Sequence, residues 1–466
     1  MKKYKRALVW LRRDLRLDDN TALFEAAKAS EEVALVFIFD INILALLDKK
    51  TDTRINFIHN SIREINNQLS SLGSAVIVKN ADPEIEIPTL AKSLNAEAVF
   101  FNEDYEPTTK ERDKNVAREC FNKNIKTHHF KDHVLFSGDE VLNQAKLPYK
   151  VFSPYRKAWL KKISLEDYAE REGEVTYTKK EVLSSHLSFP SIKDLGYKSC
   201  NYHYDFQKPG SESGKKTLEA FLKRLDNYDL SRDFPRLEGG TSGLSVHLRF
   251  GTISLRCCIR ACINQKTKGA RIWLSELIWR DFYSMILDTH PYVVNSSFNK
   301  KYNDIGWAED EKLLNAWETG MTGYPIVDAG MRQLVNTGWM HNRVRMIVAS
   351  FFTKDLLLDW RYGEAFFAKH LLDYDLASNN GGWQWSASTG CDAQPYFRIF
   401  NPSLQSKRFD EKAEYIKHWL PELKDCSPKE IHSPETSLLS TKTNYPAPIV
   451  EHFIQKKKAL SLFNNA

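Results

Sequence analysis

Four short, uninterrupted apolar runs, Ala7–Leu11, Val33–Phe39, Ala75–Val78 and Ala98–Phe101, alternate with amphipathic stretches at Thr21–Ala29, Ile55–Leu72, Ile85–Leu94 and Lys110–Phe121. Continuous apolar strands separated by helical stretches predict a parallel sheet covered by helices on both faces. Residues 1–135 are therefore expected to form an α/β domain with a doubly wound, Rossmann-like sheet. No GxGxxG follows the first run and no GxxxxGK[ST] occurs, which excludes the usual dinucleotide and P-loop domains. In WLRRDLRLDDNTAL, Asp18, Asp19 or Asn20 can cap the helix starting near Thr21, and the arginines are expected either solvated or paired with these acids.

Residues 136–205 carry charge clusters and scattered prolines and predict a connector wrapped over the surface. Helical periodicity dominates from Ser213, so residues 206–466 are expected to form an all-α domain. A chain of 466 residues has room for cores of this size. The net charge of +6 and pI near 8.7 permit a nucleic-acid partner without requiring one. Seven scattered cysteines without a CxxC pair fit reduced thiols in a cytosol and argue against a zinc site. Arg12 and Arg13 end the N-terminal apolar run, so neither a signal peptide nor a membrane span is expected.

The stretch Gly338–Pro402 concentrates polar chemistry. A helical run, Met340–Leu358, places Asn342, Arg345 and Met346 on one face. A loop is expected next, with Asp373, Asp375, Asn379 and Asn380, followed by Gly381, Gly382, Trp383 and Trp385. The helix alone reads as a buried amide, a paired arginine and a packing methionine. With the carboxylates added, the set suits a polar ring around a flat ligand with imide and amide edges.

Two more segments carry mixed chemistry. In GGTSGLSVHLRFGTIS, Thr241, Ser242 and Ser245 read as a plain N-cap or as hydroxyls for a phosphate, with Gly239, Gly240 and Gly243 allowing close backbone approach. In RIWLSELIWRDFY, Trp273, Glu276, Trp279, Arg280 and Tyr283 fall within an arc of about 120° at helical spacing. That stripe suits a cleft wall; the plainer reading is a surface helix with a Glu276–Arg280 pair. Downstream, Arg398, Gln405, Lys407 and Arg408 read as solvated surface or, beside a cleft, as phosphate contacts.

GWMHNRVRMIVASF, DLASNNGGWQWSASTG and FRIFNP resemble the photolyase/cryptochrome flavoproteins, most closely bacterial photolyases acting on cyclobutane pyrimidine dimers. The resemblance runs from about Ala7 to the C-terminal region. It implies a deoxyribodipyrimidine lyase: reduced FAD, excited by light, donates an electron to a flipped-out dimer in DNA. The alternative within the same fold is a cryptochrome-type blue-light photoreceptor.

Residue by residue, the resemblance implies that Tyr228, Thr241, Ser242, Gly243, Leu244, Ser245, Trp273, Arg280, Arg345, Asp373, Tyr374 and Asp375 hold FAD. Asn379 is implied to face the flavin N5. Tyr374 is a departure, because close relatives often have Gly there. Glu276, Trp279, Asn342, Met346, Asn379 and Trp385 are implied to be catalytic. Trp383, Trp360 and Trp307 are implied to relay electrons from the surface, with Trp307 outermost. DNA is implied to meet Glu276, Leu277, Ile278, Trp279, Arg280, Asp281, Phe282, Tyr283, Asn342, Arg343 and Gln405.

For a second, antenna chromophore the resemblance leaves three alternatives: an 8-hydroxy-deazaflavin, methenyltetrahydrofolate, or none. Arg54, Asp104 and Arg249 match deazaflavin-binding relatives. Thr108, Thr109, Val294 and Asn295 stand where folate-binding relatives carry Asn-Glu and Cys-Lys. A cytoplasmic monomer without a metal is expected.

Overall fold

The computed structural model describes residues 2–47, 51–437 and 439–465. Contacts divide it into two compact units that interleave along the chain. Unit 1 comprises Met1–Pro148, Arg156–Asp226 and Ser242–Thr289; unit 2 comprises Tyr149–Tyr155, Asn227–Thr241 and His290–Ala466.

Unit 1 is built on a five-stranded parallel sheet of order β3-β2-β1-β4-β5, with β1 Tyr4–Leu11, β2 Ser30–Asp40, β3 Val76–Ala81, β4 Ala98–Asn102 and β5 Lys126–Phe130. The register sets Val9 between Leu35 and Phe100. All four expected strands and their helices are present, the helices being α1 Thr21–Ala29, α2 Thr53–Ser71, α3 Pro83–Ser93 and α4 Pro107–Asn122. The fifth strand, KTHHF, was not expected. It lies at the sheet edge, and none of its residues is fully buried, so it carries no apolar run.

Asn20 does cap α1, accepting from the Leu23 N–H at 3.2 Å. Asp19 does something else. Its φ is 45°, and its buried carboxylate faces Arg256 at 2.8 Å and Arg260 at 3.0 Å, on α6. Here α5 is Ser245–Phe250 and α6 is Leu255–Cys262. Arg256 also reaches Asp132 at 2.8 Å, and Asp132 takes Arg16 at 2.5 Å. Burial alone would push the Asp132 carboxyl up, but the two guanidinium groups hold it well below the usual carboxylate range. This buried cluster explains why residues 242–289 group with the sheet and not with the later helices.

Unit 1 also contains α7, Lys268–Thr289. Unit 2 is helical, with α8 Glu311–Glu318, α9 Pro325–Thr337, α10 Asn342–Lys354, α11 Trp360–His370, α12 Leu376–Ala387, α13 Pro402–Phe409 and α14 His452–Asn464 among its elements. Its core joins Met331, Leu334, Val344, Val348, Phe352 and Trp383, all at most 2 % exposed. Two close approaches are permitted by glycine. A Cβ at Gly330 would lie 2.5 Å from Val344, and one at Gly363 would lie 2.1 Å from the Trp383 ring.

Candidate functional site

The site in unit 2 is a cavity of about 160 Å³ walled by three helices and one loop. His341 starts α10, its Nδ1 accepting from the Arg343 N–H at 3.1 Å. From that fixed start, Asn342, Arg345, Met346 and Ala349 share one face and line the cavity. Burial pushes the His341 imidazole down to about 3, so it serves as a neutral acceptor.

The segment expected as a loop after Asp375 is helical. Asp375 is its N-cap, accepting from Ser378 N at 3.0 Å and Ser378 Oγ at 2.9 Å. This cap carries α12 through Gly381 and Gly382. Ser378, Asn379, Gly382, Trp383 and Ser386 then form one cavity-lining face. A Cβ at Gly382 would meet nothing within 4 Å, so the wall is flat and open there.

The two adjacent amides part company. Asn380 donates to the Val293 carbonyl at 2.9 Å, as does Gln384 at 3.0 Å, and the Phe298 N–H donates to Gln384 Oε1 at 2.8 Å. Those amides pin α12 to the chain around residue 295. Asn379 instead donates from Nδ2 to Glu364 Oε1 at 2.8 Å and to the Glu364 carbonyl at 3.2 Å. With its nitrogen edge engaged twice, Asn379 keeps its carbonyl oxygen as the edge left for a ligand. Burial pushes the Glu364 carboxyl up, and the Asn379 bond opposes this. Glu364 is the functional residue that sequence reasoning missed; it lies on a different helix, and no spacing signal connects it to Asn379.

On the loop, Asp373 takes the Arg345 guanidinium at 2.8 and 3.0 Å, while Arg345 Nε donates to the Met340 carbonyl at 2.8 Å. Phe367, Leu371, Tyr374 and Trp383 supply the apolar wall. The donor set suits a flat heteroaromatic ring. Arg345 offers N–H and positive charge, Asn379 offers an acceptor, and the apolar wall accepts a ring face. Asn342, Arg345, Met346, Asp373, Tyr374, Asp375, Asn379 and Trp383 are thus brought together.

Other expected residues of unit 2 stand outside the cavity lining. Tyr228 is buried, with the Arg232 guanidinium 5.4 Å from its ring centroid. Thr241 ends this unit's 227–241 segment. Trp385 is half-buried on α12, and Gln405 is half-buried on α13. Arg398, Lys407 and Arg408 are exposed, while Arg343 pairs with Asp233 at 2.8 Å. The indole nitrogens of Trp360 and Trp383 are buried without an acceptor; that of the half-buried Trp307 is not among the sealed ones.

The remaining expected residues lie in unit 1. Ser242, Gly243, Leu244 and Ser245 precede or open α5, and the Leu244 N–H donates to Ser242 Oγ at 3.4 Å. On α7, Glu276, Trp279, Arg280 and Tyr283 are partly exposed, with Trp279 stacked on Tyr283 at 5.4 Å. Arg280 donates to the carbonyls of His133 and Leu248. Trp273, implied to hold FAD, is 2 % exposed and meets Phe221 edge-on at 4.8 Å.

Four expected DNA contacts are among the buried residues of α7. Leu277, Ile278, Asp281 and Phe282 are buried in unit 1, on the inward side of α7. Asp281 accepts from Trp159 Nε1 at 3.0 Å and Leu135 N at 3.1 Å, and burial pushes it up to about 6. Each member of the expected antenna trio has an ion-pair partner. Arg54 pairs with Asp52 at 2.5 Å, whereas Asp104 pairs with Arg13 at 3.0 Å and Arg249 with Glu106 at 3.7 Å.

Comparison with known proteins adds a second line of support. The family model for DNA photolyase matches residues 7–173, and that for the FAD binding domain of DNA photolyase matches residues 273–465. A deoxyribodipyrimidine photo-lyase of Synechococcus sp. is 40% identical over 98% of this chain and 96% of its own. Among solved structures, a class III photolyase of Agrobacterium tumefaciens superposes with a TM-score of 0.86 at 33% identity, covering 100% of this chain and 98% of that one. An archaeal photolyase of Sulfolobus tokodaii with two FAD molecules gives a TM-score of 0.85 at 32% identity, covering 99% of this chain and 100% of that one.

Proposed function

This chain belongs to the DNA photolyase family, and on that premise we infer that it is a deoxyribodipyrimidine photo-lyase, binding DNA that carries pyrimidine dimers and splitting their cyclobutane ring in light. The observation that carries the inference at the level of the site is the cavity of unit 2, where Arg345–Asp373 and Asn379–Glu364 flank a flat, half-apolar wall. Bound and reduced, FAD supplies the light-excited electron donor.

The chain's own residues supply position and electrostatics. Arg345, fixed by Asp373 and the Met340 carbonyl, offers N–H donors to the imide edge of the ring. Asn379, held by Glu364, offers an oxygen, which complements an N–H and disfavours a bare ring nitrogen. Asp375 holds the start of α12, and with it the position of Asn379. Phe367, Leu371 and Trp383 keep water from one ring face. The hydroxyls of Thr241, Ser242 and Ser245 remain the proposed diphosphate contacts, and Tyr228 a proposed FAD contact.

In unit 1, the partly exposed Glu276 and Trp279 are the proposed contacts to the base edges and face of an extruded dimer; Trp385, Asn342 and Met346 are the proposed ones in unit 2. A damaged pair is poorly stacked, so extrusion costs only about a few kcal/mol. Arg343, Gln405, Arg398, Lys407 and Arg408 are proposed to position phosphates without reading sequence. Trp383, Trp360 and Trp307 are the proposed relay to the surface. We also propose a second chromophore of the deazaflavin or folate class, identified by absorption after extraction. Among the described residues no helix is long and apolar enough to cross a membrane; a cytosolic monomer is proposed.

The test is repair of an oligonucleotide with one defined thymine dimer, by reduced protein, in blue light and in darkness. Light-dependent return of two thymines is expected. A flavin that binds and photoreduces while the dimer survives would transfer the reading to a photoreceptor.

A further inference from the structure

The C-terminal helix α14 is fastened at both ends to two adjacent residues at the end of α10. At its start, His452 Nδ1 lies 2.5 Å from Asp355 Oδ1. At its end, the Lys354 ammonium nitrogen sits 3.4 Å from the Phe463 ring centroid, and Lys354 also donates to the Ala387 carbonyl at 3.2 Å, the last residue of α12. Phe463 is 1 % exposed and is ringed by aromatics. Trp307 meets it edge-on at 5.8 Å and 78°, Tyr302 at 5.5 Å, and Tyr396 lies parallel to it at 5.9 Å. Tyr396 is itself held by Asn464, its hydroxyl donating to Oδ1 at 2.8 Å.

We propose that Phe463 is the positioning residue for Trp307, setting the plane of that indole and standing as a ring that is hard to oxidise between it and Tyr302 and Tyr396. The proposal rests on the reading of Trp307 as the outermost relay. Its chemistry is one balanced step. An oxidised inner indole, a radical cation, takes one electron from Trp307; the Trp307 N–H proton passes to water, leaving a neutral indolyl radical and a restored inner tryptophan. The inner indoles of Trp360 and Trp383 have no acceptor for that proton, so proton release falls to Trp307. The contact with Phe463 decides how that indole is presented.

The test uses the full chain with flavin, as wild type, Phe463→Ala, Phe463→Leu and Trp307→Phe. Each is labelled with 5-fluorotryptophan, and Trp307→Phe identifies the Trp307 fluorine signal. In Phe463→Ala that signal is expected to move and to gain solvent sensitivity, while those of Trp360 and Trp383 stay in place; Phe463→Leu should restore most of the shift. Photoreduction of oxidised flavin is expected to slow in Phe463→Ala by up to about a hundredfold, the scale on which misplacement of reacting groups is felt, with dimer repair by chemically reduced protein unchanged. A wild-type Trp307 signal together with wild-type photoreduction overturns the proposal. Normal photoreduction in Trp307→Phe overturns the relay reading beneath it, and the fluorine spectrum then reports separately whether Phe463 seats the indole.

Discussion

Arg345 and Asp373 meet through one guanidinium nitrogen and two carboxylate oxygens, with Nη2 at 3.0 Å from Oδ1 and 2.8 Å from Oδ2, and the Asp373 side chain is 2 % exposed. Removing the arginine strands that carboxylate. Arg345→Ala is expected to destabilise the protein by roughly 3–5 kcal/mol, the range for a buried pair broken on one side, and to release flavin. The double variant Arg345→Ala with Asp373→Asn should recover part of the stability and none of the flavin. Denaturant unfolding and flavin absorbance per protein measure the two effects separately.

Glu276 stands on the partly exposed side of α7, in the other unit from that ion pair. Glu276→Ala is expected to weaken binding of dimer-containing DNA by about 1.5–3 kcal/mol, the worth of hydrogen bonds to a charged group, and to leave flavin content at wild type. Titration of a dimer-bearing oligonucleotide, with the flavin spectrum taken on the same sample, checks this. Loss of flavin would reassign Glu276 to the cofactor.

Gly363 lets the Trp383 ring lie where a side chain would otherwise stand. Gly363→Ala gains helix propensity but forces the indole away from Phe352 and Phe367, its neighbours at 5.6 and 5.0 Å. Overpacking of this kind costs about 1–3 kcal/mol. A lower melting temperature, altered near-ultraviolet dichroism and weaker flavin retention are expected together. Gly382→Ala, with open space before it, should raise melting slightly through the same gain in helix propensity and weaken flavin binding.

Two buried groups give opposite slopes of stability with pH. Asp281 is raised by burial from 3.8 to about 6, so the fold holds its proton more tightly than the unfolded chain does. Its contribution falls as pH rises from about 4 to 6 and is constant above, an effect on the order of 3 kcal/mol. His341 is lowered by burial from 6.5 to about 3, so the unfolded chain binds that proton first, and stability falls as pH drops through this window. Asp281→Asn should therefore steepen the acid-side loss, and His341→Asn, which keeps a capping side chain, should flatten it. Urea unfolding between pH 4 and 7 reads both slopes.

Legibility in the sequence followed the physics of each element. The four inner runs of the α/β unit are continuous because both sheet faces are covered, so their limits could be read to within a few residues. KTHHF pairs on one side only and left no pattern. Asn342, Arg345 and Met346 were readable as one face because helical spacing is local. Spacing alone does not separate Asn379 from Asn380, which only the resemblance tells apart, since the partners that distinguish them, Glu364 and Val293, lie on other segments. On α7 the mixed stripe was found, but Asp281 looked like one more polar contact. Only the structure reveals Trp159, Leu135 and Phe136 closing over it. Arg256 gave no sign that it neutralises Asp19, because nothing in a local window connects positions 237 residues apart.

That last distance bears on how the protein is made. The last sheet strand ends at Phe130, yet Asp19 and Asp132 pair with an arginine that lies 237 and 124 residues further on. Until that arginine is made, Asp132 has Arg16 alone and Asp19 has neither of its arginines, so the nascent sheet stays open to chaperones and to proteolysis. A fragment cut at residue 205 would be caught in that unfinished condition permanently. The strands are all made by residue 130, but the charge buried beside them is matched only after residue 256 has emerged.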